Sequence, residues 1–177
     1  IVSLLLSTLQ DDNEKMTESD IGFIYELDRS DDEVKLSLMD AFMDLDHEKA
    51  VRTYIELCSD KNLSIQQSAI FNLGVLHEVN NQDIRDVLWR KCSNKNQELR
   101  YNAILGLALR QDKRVVDILI KEIENIDNKG NTLLQAIEEL EDARFIPILK
   151  RKSLEIGEKS YIFPWINLTI KYLEELR

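Results

Sequence analysis

Two histidines, two cysteines and a surplus of carboxylates are the side chains that first invite a chemical reading. Each histidine is followed by a glutamate, as His47-Glu48 and His77-Glu78, and an imidazole beside a carboxylate is a donor set that transition metals accept. Both pairs fall at a helix end or in a polar turn, where such groups usually satisfy backbone and solvent, so no metal is expected. Cys58 and Cys92 supply neither a disulfide framework nor a metal cage. They fall near equivalent positions of neighbouring helices, which would lie about 8–10 Å apart, and read as core thiols rather than a disulfide. Carboxylates bunch in polar turns (Asp11, Asp12 and Glu14; Asp44, Asp46 and Glu48), with no pair singled out for acid–base work. The sequence holds no G-x-S-x-G elbow, phosphate-binding glycine loop, H-E-x-x-H or paired Cys-x-x-Cys. Asn62-Leu63-Ser64 and Asn167-Leu168-Thr169 match the glycosylation sequon, which matters only in a secreted eukaryotic protein. No catalytic residue, metal ligand or cofactor is expected.

The elements that position these residues must be helical. Five glycines and two prolines in 177 residues cannot punctuate a β-sandwich or barrel, which needs a turn every 8–12 residues or so. The composition, 44% hydrophobic and 32% charged, is that of a folded chain. With 23 Lys+Arg against 33 Asp+Glu the net charge is −10, which argues against nucleic-acid binding driven by phosphate neutralisation. No run reaches the roughly 18 apolar residues of a membrane span, and a cytoplasmic location is expected. Ile1–Leu9 (IVSLLLSTL) lacks a basic flank and a cleavage site and reads as a short packed helix. The first residue is Ile1 rather than Met, which reads as a processed form or a fragment.

A repeat organises the chain. VKLSLMDAF from Val34, IQQSAIFNL from Ile65, LRYNAILGL from Leu99 and TLLQAIEEL from Thr132 align without gaps. The fifth position holds Leu38, Ala69, Ala103 and Ala136; the sixth Met39, Ile70, Ile104 and Ile137; the ninth Phe42, Leu73, Leu107 and Leu140. Such spacing is one stripe of an amphipathic helix, with a small residue where a neighbouring helix can approach closely. A second apolar helix follows each copy, aligned as Val51, Tyr54 and Ile55; Ile84, Val87 and Leu88; Val115, Ile118 and Leu119; Phe145, Ile148 and Leu149. Short polar turns divide them, with Thr17, Asp31 or Asp32, and Ser64 as expected N-caps. The expected boundaries are an atypical helix pair over 1–30, repeats at 31–63, 64–97, 98–130 and 131–159, and a closing helix over 160–177 whose apolar residues include Trp165, Leu168, Leu173 and Leu176. All 177 residues read as one α-solenoid domain.

ELRYNAILGLALRQDKRVVDILIKEIENID resembles a HEAT-type repeat, and the other copies are weaker versions; the resemblance covers roughly four-fifths of the chain. Asn72-Leu73-Gly74 is similar to part of the tetratricopeptide motif, but the small residues of that motif's second helix and its closing proline are missing. The resemblance implies an all-α, right-handed α-α superhelix of about eleven helices in antiparallel hairpins. One HEAT-type family, the deoxyhypusine hydroxylases, binds two irons through four His-Glu pairs at the starts of first helices. This chain has two such pairs, and in another register.

In such a stack the second helices line the concave face. Their outward positions form one row of Glu56, Trp89, Ile120 and Lys150, a second of Leu57, Arg90, Lys121 and Arg151, and a flanking row of Thr53, Asp86, Asp117 and Pro147. Asp86 with Arg90 and Asp117 with Lys121 are also i,i+4 pairs of the kind that simply stabilise exposed helices. Trp and Arg are enriched at binding hot spots. The expected function is therefore a non-catalytic scaffold or interaction module whose concave face holds a protein segment, one with acidic groups and an apolar anchor. The expected contacts are Glu56, Trp89, Arg90, Ile120, Lys121, Lys150 and Arg151. Alternatives that the resemblance leaves open are a HEAT-type enzyme or cofactor-handling protein, like the phycobilin lyases or the metal-dependent hydroxylases, and a nucleic-acid binder like the HEAT-like DNA glycosylases.

Overall fold

Local signals in the chain set the helix starts. The computed structural model describes residues 16–43, 45, 47–75 and 79–176. Among them Thr17 opens α1 (Glu18–Tyr25) with a capping box, its side chain accepting from Asp20 N while Asp20 returns a bond to Thr17 N. Asp31 caps α2 (Asp32–Ala41) and His47 caps α3 (Glu48–Leu57). The expected Ser64 cap is displaced: α4 (Leu63–Val75) starts earlier, and the Asn62 side chain accepts from Ser64 N at 2.9 Å. After α5 (Gln82–Lys91), Asn96 caps α6 (Gln97–Leu109), and a 3-10 turn, Lys113–Val115, leads into α7 (Val116–Glu124). Then follow α8 (Asn131–Leu140), α9 (Phe145–Ile156) and α10 (Phe163–Glu175). Every regular element among the described residues is helical, so the all-α class expected from the sequence is the class observed. The helix expected near residues 1–10 and the His77-Glu78 pair lie outside the described residues.

The chain divides into two compact units, Ile1–Val87 and Leu88–Arg177. In the first, α2 packs on α4 and α1 on α3, while α3 packs against both α2 and α4. In the second, α6, α8 and α10 form one layer and α7 packs on α9 in another. First helix stacks on first and second on second, a solenoid-like arrangement inside each unit.

The repeat stripe forms both cores. Leu38, Ala69, Ala103 and Ala136 are fully buried, as are Ile70, Ile104, Ile137, Phe42, Leu73 and Leu107. On the second helices the buried positions that match from repeat to repeat are Ala50 and Tyr54 in α3 with Cys58 at its C-cap, and Ile84 and Leu88 in α5 with Cys92 just after it. Their counterparts are Val115, Leu119 and Ile123 before and in α7, and Phe145, Leu149 and Ser153 in α9. This register moves α3 by one residue relative to the alignment on Val51, because the Tyr54 ring, not Ile55, fills the position of Leu88, Leu119 and Leu149. Thr53, expected to face outward, is buried and donates its hydroxyl to Lys49 O at 2.9 Å.

Of the four apolar residues named for the closing helix, only Leu173 is buried. The helix's buried residues are Ile166, Thr169, Ile170 and Leu173, while Trp165, Leu168 and Leu176 are exposed. Trp165, Thr169, Ile170 and Leu173 stand 33 residues after Thr132, Ala136, Ile137 and Leu140, so α10 is a fifth copy of the first-helix pattern with Thr169 as its small residue.

Candidate interaction surface

The outward faces of the second helices in the second unit are built from a polar clamp upward. Asp112 ends the turn after α6, is nearly buried, and caps the 3-10 turn by accepting from Arg114 N at 3.2 Å. The same carboxylate takes the Arg114 guanidinium side-on, with Nε at 2.9 Å and Nη2 at 2.7 Å. Held flat, that guanidinium stacks over the indole of Trp89 at 5.0 Å from the ring centroid. Trp89, in the last turn of α5, stays 36% exposed under this cation. The D-x-R pattern recurs at Asp142 and Arg144, where the Arg144 guanidinium holds the Asp142 carboxyl below the usual carboxylate range.

Around the Trp89–Arg114 pair the sequence-derived residues divide. Arg90 and Lys121 are exposed and Ile120 is partly buried. Lys121 makes no ion pair among the described residues, so its expected i,i+4 pairing with Asp117 is not formed. Lys150 pairs with Glu174 at 2.6 Å, and Arg151 pairs with Glu124 and, at 3.7 Å, with Glu155. These pairs tie α9 to α10 and to α7. The side chains of Arg151 and Glu124 are 55% and 44% exposed, and pairs of that kind contribute about 0–1 kcal/mol, so an incoming carboxylate can replace Glu124 at little cost. Glu56 belongs to the first unit, where it pairs with Arg29, and the corrected register puts it in the row of Arg90 rather than that of Trp89. Arg114 is not identifiable from helical periodicity, since it lies in a turn; its only signal is the Asp two residues before it.

Metal and thiol chemistry find no constellation among the described residues. His47 spends Nδ1 on Lys49 N at 3.1 Å and faces Glu18 with Nε2 at 3.3 Å. No cluster of three His, Cys, Asp or Glu residues with metal-binding geometry occurs among the described residues. Cys58 and Cys92 are buried free thiols, and burial pushes the Cys92 thiol up to about 12, far from a reactive thiolate. No helix among the described residues is long and apolar enough to cross a membrane.

Helical hairpins stacked in two layers, with a preorganised aromatic–cation surface on one of them, define an all-α protein of helical-repeat type. No family model matches the chain. It is 34% identical over 95 residues to Protein YibA of Escherichia coli K12, and equally to YibA of Escherichia coli O157:H7; the match takes in 54% of this chain and 33% of each relative. The chain thus spans about a third of the length of the curated relatives it matches. The X-ray structure of E. coli YibA superposes with a TM-score of 0.58 at 18% identity, covering 96% of this chain and 81% of that one, a likeness of fold.

Proposed function

We propose that the protein is a HEAT-like, non-catalytic interaction module that binds an acidic, apolar-anchored segment of another protein on its second-helix surface, in a cytoplasmic setting. The observation that carries this reading is the exposed Trp89 ring held under Arg114, whose guanidinium is fixed in turn by the buried Asp112. A large aromatic surface whose neighbouring cation is already ordered loses little freedom on binding, which is the condition for a hot spot. Arg90 and Lys121 supply positive charge beside it, Ile120 adds apolar surface, and Arg151 and Lys150 extend the row by releasing Glu124 and Glu174. The reading is tested in a Trp165→Phe background, which leaves Trp89 as the single tryptophan. A synthetic peptide of alternating glutamates and leucines should shift its emission and saturate. Arg90→Glu with Lys121→Glu should weaken that binding at least about tenfold. Binding unchanged by the two reversals would remove this surface from the account.

A further inference from the structure

The first-helix layer of the second unit carries a groove that the Trp89 surface does not use. It lies between α8 and α10 and encloses about 360 Å³. Leu134 and Thr169 form its buried floor; Trp165 and Leu168, 46% and 56% exposed, form one wall. Along the first position of the repeat in this unit Leu99 is buried, Thr132 half-buried and Trp165 exposed. Exposed apolar surface gathered along a concave edge marks an interaction site rather than scatter.

Charge selects what can lie there. α8 carries Glu138 and Glu139 and no Lys or Arg, and Glu141 follows at its C-cap. Glu138 lines the groove and accepts from Thr169 Oγ1 at 2.6 Å, and further along α10 Tyr172 OH donates to Glu141 at 3.1 Å. The field of these groups is visible at Tyr172, whose phenol is pushed up first by the hydrogen bond to Glu141, then by partial burial and by Glu141, Glu138 and Glu139 together. The one cation of α10, Lys171, is turned to Glu175 at 3.7 Å. Phosphate backbones and anionic lipid bring the wrong sign.

We propose that the α8/α10 groove docks a cationic amphipathic helix of a partner protein, its apolar face on Trp165 and Leu168 and its Lys or Arg residues against Glu138, Glu139 and Glu141. The arrangement is the helix-in-groove mode, with apolar anchors giving affinity and carboxylates giving selection. This site is distinct from the Trp89 surface and asks for a partner of opposite charge, so one chain can hold two different segments.

The test uses Trp89→Phe, which leaves Trp165 as the only tryptophan and so the only emission reporter. A synthetic amphipathic helix with leucines on one face and lysines on the other should blue-shift Trp165 emission to saturation. Replacing Glu138, Glu139 and Glu141 by glutamine should weaken the affinity at least about tenfold, and raising salt should do the same. Leu168→Ala should also weaken it, with the helical circular-dichroism spectrum retained. As a check on the unmodified chain, the labelled lysine peptide is titrated by fluorescence anisotropy. An equal Trp165 emission shift with a leucine–glutamate helix in the Trp89→Phe chain, or lysine-helix affinity unchanged in the glutamine variant, overturns the proposal and leaves the Trp89 reading untouched.

Discussion

Single side chains in this protein do their work in polar clamps at the helix junctions. The Asp112–Arg114–Trp89 stack is one, and Lys35 is another: nearly buried, it reaches Asp32 and Asp60, each at 2.8 Å. Its bonds hold both carboxyls below the usual range, and the two carboxylates hold the Lys35 ammonium above its own. The sign follows for each group. The carboxylate contribution to stability is present above about pH 4 and is lost as pH falls through the lowered folded values. The lysine contribution is present below about pH 10 and is lost as pH rises through the raised folded value. Lys35→Met should therefore be less stable at neutral pH and should show a flatter acid limb in urea titrations between pH 4 and 2, roughly the carboxylate range. An acid limb parallel to wild type would assign the acid sensitivity elsewhere. Tyr54, fully buried, donates its hydroxyl to Met39 O at 2.6 Å across the α2–α3 hairpin, and Tyr54→Phe should cost about 0.5–1.5 kcal/mol by denaturant unfolding. Trp89 and Arg90 were legible as candidates because they stand on a helix of known register. Arg114 was not, because turn residues have no period and its role depends on a three-dimensional stack.

At the scale of elements, the small-residue row was the most legible feature and also the most testable. Ala103 and Ala136 lie fully buried where α6 and α8 pack together. Ala103→Leu should overpack that contact and cost about 1–3 kcal/mol, whereas Gln135→Leu, on the exposed side of α8, should be nearly neutral. A neutral Ala103→Leu would mean the layers are loosely packed. One element was misjudged for a physical reason. On α3 a tyrosine fills the slot that leucine takes elsewhere, so aligning by aliphatic type slid the register by one residue and placed Glu56 beside Trp89's row. On α10 the apolar residues visible in the sequence do not by themselves give the buried face, because the stripe is set by phase: Thr169 is buried while Leu168 is not. Hydrophobicity names the residues that can be buried; the phase of the helix decides which of them are.

For the whole molecule, the all-α class followed from sparse glycine and proline together with a four-fold repeat, and the likeness to YibA in fold agrees with it. Function was less legible because the repeat specifies core positions and leaves the outward ones free to vary. Those outward positions differ in charge in the second unit: Arg90 and Lys121 on the second helices with Arg114 in the turn before α7, and Glu138 lining the groove with Trp165 on the first. A net charge of −10 therefore conceals a local basic surface. The measurement that bears most directly on the central claim is affinity capture from the source lysate. It would compare the wild-type chain with a Trp89→Ala, Arg90→Glu, Lys121→Glu variant of unchanged helical spectrum, the eluates quantified by mass spectrometry. The wild-type chain should enrich a protein that carries an acidic segment and is lost with the variant. The same protein retained equally by both chains would contradict it.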